Sequence, residues 1–130
     1  MEILQPPDWA RPRGYSNGIA ASGKMVFVSG MIGWDAQCEF HTDDFAEQTA
    51  QALRNVVAVL AEAGGKPEHI VRMTWYVTDK QAYVGAYREI GAAYRAIIGR
   101  HFPAMTAVQV AALVEDRAEV EIEVTAVLPP

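Results

Sequence analysis

Between Phe45 and Thr78 the apolar residues change period once, and that change restricts the fold class more than any other feature of the chain. In DDFAEQTAQALRNVVAVLAEAGG, Phe45, Thr49, Ala52, Leu53, Val56 and Leu60 recur at helical spacing. Asp44 with Glu47 forms a capping box, and Gly64 and Gly65 supply the stop. Past KPEH the spacing becomes two. Val71, Met73, Trp75 and Val77 alternate with Arg72, Thr74, Tyr76 and Thr78, which predicts a strand. Asp79 then caps a second predicted helix whose stripe is Tyr83, Tyr87, Ile90, Tyr94 and Ile97, ended by Gly99 and Pro103. Helices with a single apolar stripe, alternating with strands, require a sheet to cover.

The rest of the chain supplies that sheet. Tyr15 to Ala20 and Lys24 to Gly30, joined by ASGK, predict a hairpin. MIGWDAQCEFHT has turn formers and no period, so it reads as a loop with room for a third short strand. Ala104 to Leu113 and Ala118 to Val127 predict two final strands around VEDR, and the Pro-rich ends QPP and LPP are expected to fray. The order β-β-(β)-α-β-α-β-β describes one α+β domain over residues 1–130, a mixed sheet with two helices on one face. Two helices leave the other face open. In the penultimate strand Met105, Ala107, Gln109 and Ala111 alternate with Thr106, Val108, Val110 and Ala112, and neither side carries charge. Such a sheet face predicts self-association.

Composition removes several function classes. The net charge of −5, with no run of Lys or Arg, argues against a nucleic-acid partner. No apolar run reaches the ~18 residues of a membrane span, and MEILQPPDWARPRG lacks the pattern of a signal peptide. A cytoplasmic protein is expected, and the single Cys38 fits a reducing compartment. His41, His69 and His101 have no metal-ligand spacing and sit near predicted element ends, where surface and capping roles are expected; no metal site is indicated. Cys38 has no neighbouring base, and neither GKMVFVSGMIG nor GIAASGK has the spacing of a phosphate-cradling loop. Glu119, Glu121 and Glu123 alternate along the last strand. That is the pattern of a solvated face, unless the face is an interface in which a carboxylate needs a partner or a ligand.

Taken together, G-Y-S-N-G, V-F-V-S-G-M-I-G, Q-x-x-x-A-L-x-N-V, I-V-R-M-T-W-Y-V-T-D, F-P-A-M-T-x-V-x-V-A-A-L and V-E-I-E-V-T-A-V resemble, in order and spacing, the RidA/YjgF family of reactive intermediate deaminases. The similarity runs from Tyr15 to Val127. It implies a chorismate-mutase-like fold and a homotrimer with small-molecule clefts between subunits. It also implies hydrolysis of enamines and imines such as 2-aminoacrylate to a 2-keto acid and ammonia, without a cofactor.

The site positions carry over unevenly. Tyr15 matches the site tyrosine, Gly30 the glycine of the S-G turn bordering the cleft, and Glu121 the glutamate thought to position or activate water. Met105 stands where the deaminases have an arginine that clamps the substrate carboxylate, and a thioether cannot do that. Gly91 replaces the usual asparagine, and Ala107 a small polar residue or cysteine. These changes predict a roomier, less polar cleft.

Three readings follow. One is an enzyme of this type acting on a substrate bulkier or less acidic than 2-aminoacrylate, with Glu121 and Tyr15 catalytic and Gly30, Met105, Gly91, Trp34 and Arg13 at the ligand. Arg88 and Arg95, three before and four after Gly91, are further sources of a clamp. The second is a non-catalytic binding or regulatory trimer. The third is the ribonuclease or translation-inhibitor role often attached to relatives, which the absence of a basic track disfavours.

Overall fold

A computed structural model describes all 130 residues. Its strands are β1 (Glu2–Leu4), β2 (Gly18–Ala20), β3 (Lys24–Ile32), β4 (Ile70–Val77), β5 (Ala104–Gln109) and β6 (Val120–Leu128). Its helices are α1 (Phe45–Ala61), α2 (Lys80–Gly85) and α3 (Tyr87–Ile97), with a 3-10 turn at Pro67–His69. The main sheet has the order β3-β6-β4-β5, antiparallel except for the parallel β4–β5 pair that α2 and α3 bridge.

The first helix forms where its periodicity places it. Asp44 accepts a hydrogen bond from the Glu47 amide at 2.9 Å, Phe45, Thr49, Ala52, Leu53, Val56 and Leu60 are buried, and Gly64 takes a positive φ of 78° that ends the helix. That stripe packs on Val28, Met73, Trp75, Val77, Val120, Ile122 and Val124, forming one core between helices and sheet. Gln48 is also fully buried. Its Nε2 donates to the carbonyls of Thr42 and Arg117, and its Oε1 accepts from the Glu119 amide at 2.9 Å, tying the loop before α1 to the start of β6.

Several expectations are corrected. The hairpin of residues 15–20 with 24–30 does not form: β2 pairs instead with β1, which precedes QPP, and β3 pairs with β6. The third short strand is absent, because β3 itself continues to Ile32 and the chain then turns around Asp35. The Asp35 Oδ1 accepts from the amides of Gln37 and Glu39. The second helix breaks at Ala86 (φ −106°, ψ 13°) into α2 and α3, and Ile98 rather than Ile97 enters the core. A register shift between Ile70 and Arg72 puts Ile70, not Val71, in the core. The fifth strand stops at Gln109, which pairs with Val77, the last residue of β4.

The helices cover one face of the sheet. On the other lie Met25 and Phe27 of β3, Thr74 and Tyr76 of β4, and Glu121 and Glu123 of β6, with Phe27 70% exposed. No helix is long and apolar enough to cross a membrane.

Candidate functional site

Met105 and Ala107 lie beside Met73 and Trp75 in the parallel β4–β5 ladder. Neighbours in register share a face, so both point to the helix side of the sheet at its β5 edge. There they border a cavity of about 930 Å³. Tyr15 reaches it from the segment before β2, which is fastened to the start of β5 by the Ser16 amide on the Pro103 carbonyl at 3.0 Å and by the Ser16 hydroxyl on the Phe102 carbonyl. Gly91 reaches it from α3. Residues 15, 91, 105 and 107 therefore converge, although they are far apart in sequence.

The walls are aromatic. Tyr83 meets Tyr87 edge to face at 5.2 Å and lies 6.2 Å from the Trp75 ring, while Tyr94 stacks on Phe102 at 5.6 Å with an 8° angle. Burial holds the Tyr94 phenol well above its ordinary pKa, and burial followed by the nearby Tyr87 raises that of Tyr83. Both are neutral at physiological pH. Tyr94 donates its proton to the His101 carbonyl at 2.6 Å, leaving it a structural role. The only charged residues in the lining are Arg13 and Arg95. Neither joins the chain's two ion pairs, His41–Asp35 and Arg117–Asp43. Arg88, although on the same helix, does not border the cavity.

Glu121 and Gly30 lie elsewhere. Glu121 is opposite Tyr76 on the open face, where Tyr76 donates to Glu123 at 2.6 Å; that bond, with burial second, raises the Tyr76 pKa. A bulge between Val28 and Met31 sets Gly30 against Glu121 so closely that any side chain at position 30 would collide with the carboxylate. One copy of the chain therefore holds Tyr15, Gly91, Met105 and Arg13 in its cavity and Glu121 with Gly30 on the opposite face of the sheet. Trp34 joins neither group. It packs 5.8 Å from Phe40 in the loop after β3, and its carbonyl accepts from Asn55 at 2.8 Å.

The histidines serve their own loops. His69 Nδ1 accepts from the Lys66 amide at 3.0 Å, and His101 Nε2 lies 2.6 Å from the Ile70 carbonyl. His41 bonds Asp35 at 2.6 Å, a contact that leads the lowering of the Asp35 pKa. Sequence spacing did not reveal that Asp35, Glu39 and His41 gather within 4.8 Å, a grouping made by the Asp35 turn. It missed the aromatic cage as well, since Trp75 and Tyr83 read only as strand and stripe residues.

Known proteins bear on these observations. The family model described as Endoribonuclease L-PSP matches residues 9–128. A RutC family protein of Aquifex aeolicus is 35% identical over 98% of this chain and 99% of its own. The 2-iminobutanoate/2-iminopropanoate deaminase of Salmonella typhimurium is 36% identical over 81% of this chain and 80% of its own. The crystal structure of YyfB from Yersinia pestis, a Rid protein of unknown function, superposes with a TM-score of 0.86 at 29% identity, covering 98% of both chains. On the family match, the relatives and the shared chorismate-mutase-like fold, this chain belongs to the RidA/YjgF family.

Proposed function

We propose that the protein is an enamine/imine deaminase acting on a substrate bulkier than 2-aminoacrylate, and that it works as a homotrimer. The observation that carries the reading is the convergence of Tyr15, Gly91, Met105 and Ala107, four positions matching the family's site, in one aromatic cavity. The Salmonella relative, named as a deaminase of small 2-imino acids, supports the reaction class. The division of the matched positions between two faces supports the assembly. A neighbouring copy that lays its open face beside the β5 edge brings its Glu121 and Gly30 to the cavity, and covers the exposed Met25 and Phe27.

In the assembled site Glu121 accepts a hydrogen bond from water and turns the water oxygen toward the C=N carbon. A C–O bond forms, a proton passes to nitrogen, and the resulting carbinolamine loses its C–N bond to give a carbonyl compound and ammonia. Tyr15 is a phenol donor at the cavity mouth, placed to hold the substrate. The experiment is the rate of ammonia release from imines generated in situ, small and aromatic, relative to the spontaneous rate. Acceleration is expected for the aromatic ones, and Glu121→Gln should lower it by about 10²–10⁴-fold with the oligomer intact. No acceleration with any imine overturns the reading and leaves a binding protein.

A further inference from the structure

The cavity's charge pattern is at odds with that of the whole molecule. The chain carries −5 overall, yet the lining that one copy supplies holds two arginines, neither ion-paired, and no Asp, Glu, Lys or His. Six of the chain's twelve aromatic side chains enclose the same space. A pocket lined by two cations and six aromatic rings is complementary to an organic anion with a flat apolar body.

Of the two arginines, Arg95 is the better held. It sits on α3, one turn beyond Gly91, and helical side chains lean back toward the N-terminus. Its guanidinium does so: Nη1 lies 3.4 Å from the point where a Cβ on Gly91 would stand. The group thus crosses the helix surface over the one residue that leaves room for it. An asparagine there would occupy that room. Arg13, beside Gly14 in the irregular segment before β2, stands at the same cavity without a helix to fix it. Met105, on β5, presents only a thioether to the ligand.

Building on the deaminase reading, we propose that Arg95 is the carboxylate anchor of this cavity, admitted by Gly91 and seconded by Arg13, and that the substrate is a 2-imino or enamine acid with an aromatic side chain. The anchoring charge then sits on the helix instead of on β5, and the ring packs between Met105 and the aromatic wall. A small three-carbon acid reaching Arg95 would leave that wall uncovered.

The test compares binding of 3-phenylpropanoate and its neutral amide, by calorimetry, to the wild type, Arg95→Met, Arg95→Lys and the off-cavity control Arg88→Met. Ammonia release from phenylalanine-derived imine is measured in parallel. Losing charge-assisted hydrogen bonds from a partly solvated group is expected to weaken the acid by about 10- to 30-fold in Arg95→Met. The amide should be unaffected, Arg95→Lys intermediate and Arg88→Met unchanged. Met105→Arg added to Arg95→Met should restore acid binding and move the preference toward small imino acids. Equal losses for acid and amide, unchanged acid affinity in Arg95→Met, or no acid binding by the wild type each overturn the assignment. The two readings fail separately: acid selectivity that depends on Arg95 without any ammonia release removes the deaminase and keeps the anchor. Undiminished release by Arg95→Met removes the anchor and keeps the deaminase.

Discussion

Replacing Gly91 by alanine should make the protein more stable. Gly91 is the fifth of eleven residues in α3, in the helix interior with both neighbours helical, where glycine is less favourable than alanine by ~1 kcal/mol. Part of that difference lies in the unfolded chain, which glycine leaves freer. An added Cβ meets one atom within 4 Å, the Arg95 Nη1 at 3.4 Å, and that is the far end of a flexible side chain. Displacing it costs a few tenths of a kcal/mol at most, leaving a net gain of roughly 0.5–1 kcal/mol. With an unfolding entropy of about 2.1 cal/mol/K per residue over this chain, the gain corresponds to a rise in Tm of about 2–4 °C. The assay is thermal unfolding followed by near-ultraviolet circular dichroism at fixed protein concentration, since assembly also contributes to stability. An unchanged or lowered Tm would refute the reasoning. Gly91 would then be required by the packing of α3 and not by the room it leaves for a guanidinium.

Two other predictions are independent of the cavity. Glu119 has its pKa raised, first by burial and then by Asp43, Asp44 and Asp79, and its Oε2 has no hydrogen-bond partner. A carboxyl whose folded-state pKa lies above its unfolded value of about 4.5 binds its proton more tightly in the native state, so it favours folding at low pH and opposes it once ionised. Glu119→Gln should therefore raise Tm at pH 7, with the gain shrinking as the pH falls through the raised folded-state value; an equal gain at pH 4 and pH 7 would exclude this cause. For the assembly, light scattering should give about 42.6 kDa, three chains of 14.2 kDa, and a mass near 14.2 kDa in dilute solution would remove the trimer.

The elements most legible in the sequence were those whose signal is local. Helix α1 carries its cap, stripe and stop within a short stretch, and Asp44, Leu53 and Gly64 each do in the structure what their positions predict. Strand β4 shows its alternation equally well. What could not be read was partner choice. The segments around ASGK look like two arms of a hairpin, but strand patterning encodes which face is buried and not which strand lies alongside, so Gly18–Ala20 could be claimed by the N-terminal EIL and Lys24–Ile32 by the last strand. The break at Ala86 was hidden for a similar reason, because the tyrosine stripe continues across it.

The same limit governs the site. Met105 was conspicuous only through the resemblance, which implies a carboxylate-clamping arginine at that position, and a thioether cannot hold a carboxylate. Arg95 was one of several arginines at helical distance from Gly91, and spacing alone gave Arg88 an equal claim. Helical spacing puts positions 88, 91 and 95 on one face, so only the structure separates the two: the Arg95 guanidinium reaches back over Gly91 and borders the cavity, while Arg88 does not border it. A glycine at 91, a thioether at 105 and a guanidinium outside both ion pairs at 95 thus border one space. An anchor carried by a helix needs room over the helix as well as a cation on it. That coupling predicts that Gly91→Asn and Met105→Arg together should favour binding of small acids more than either change alone, as measured by calorimetry.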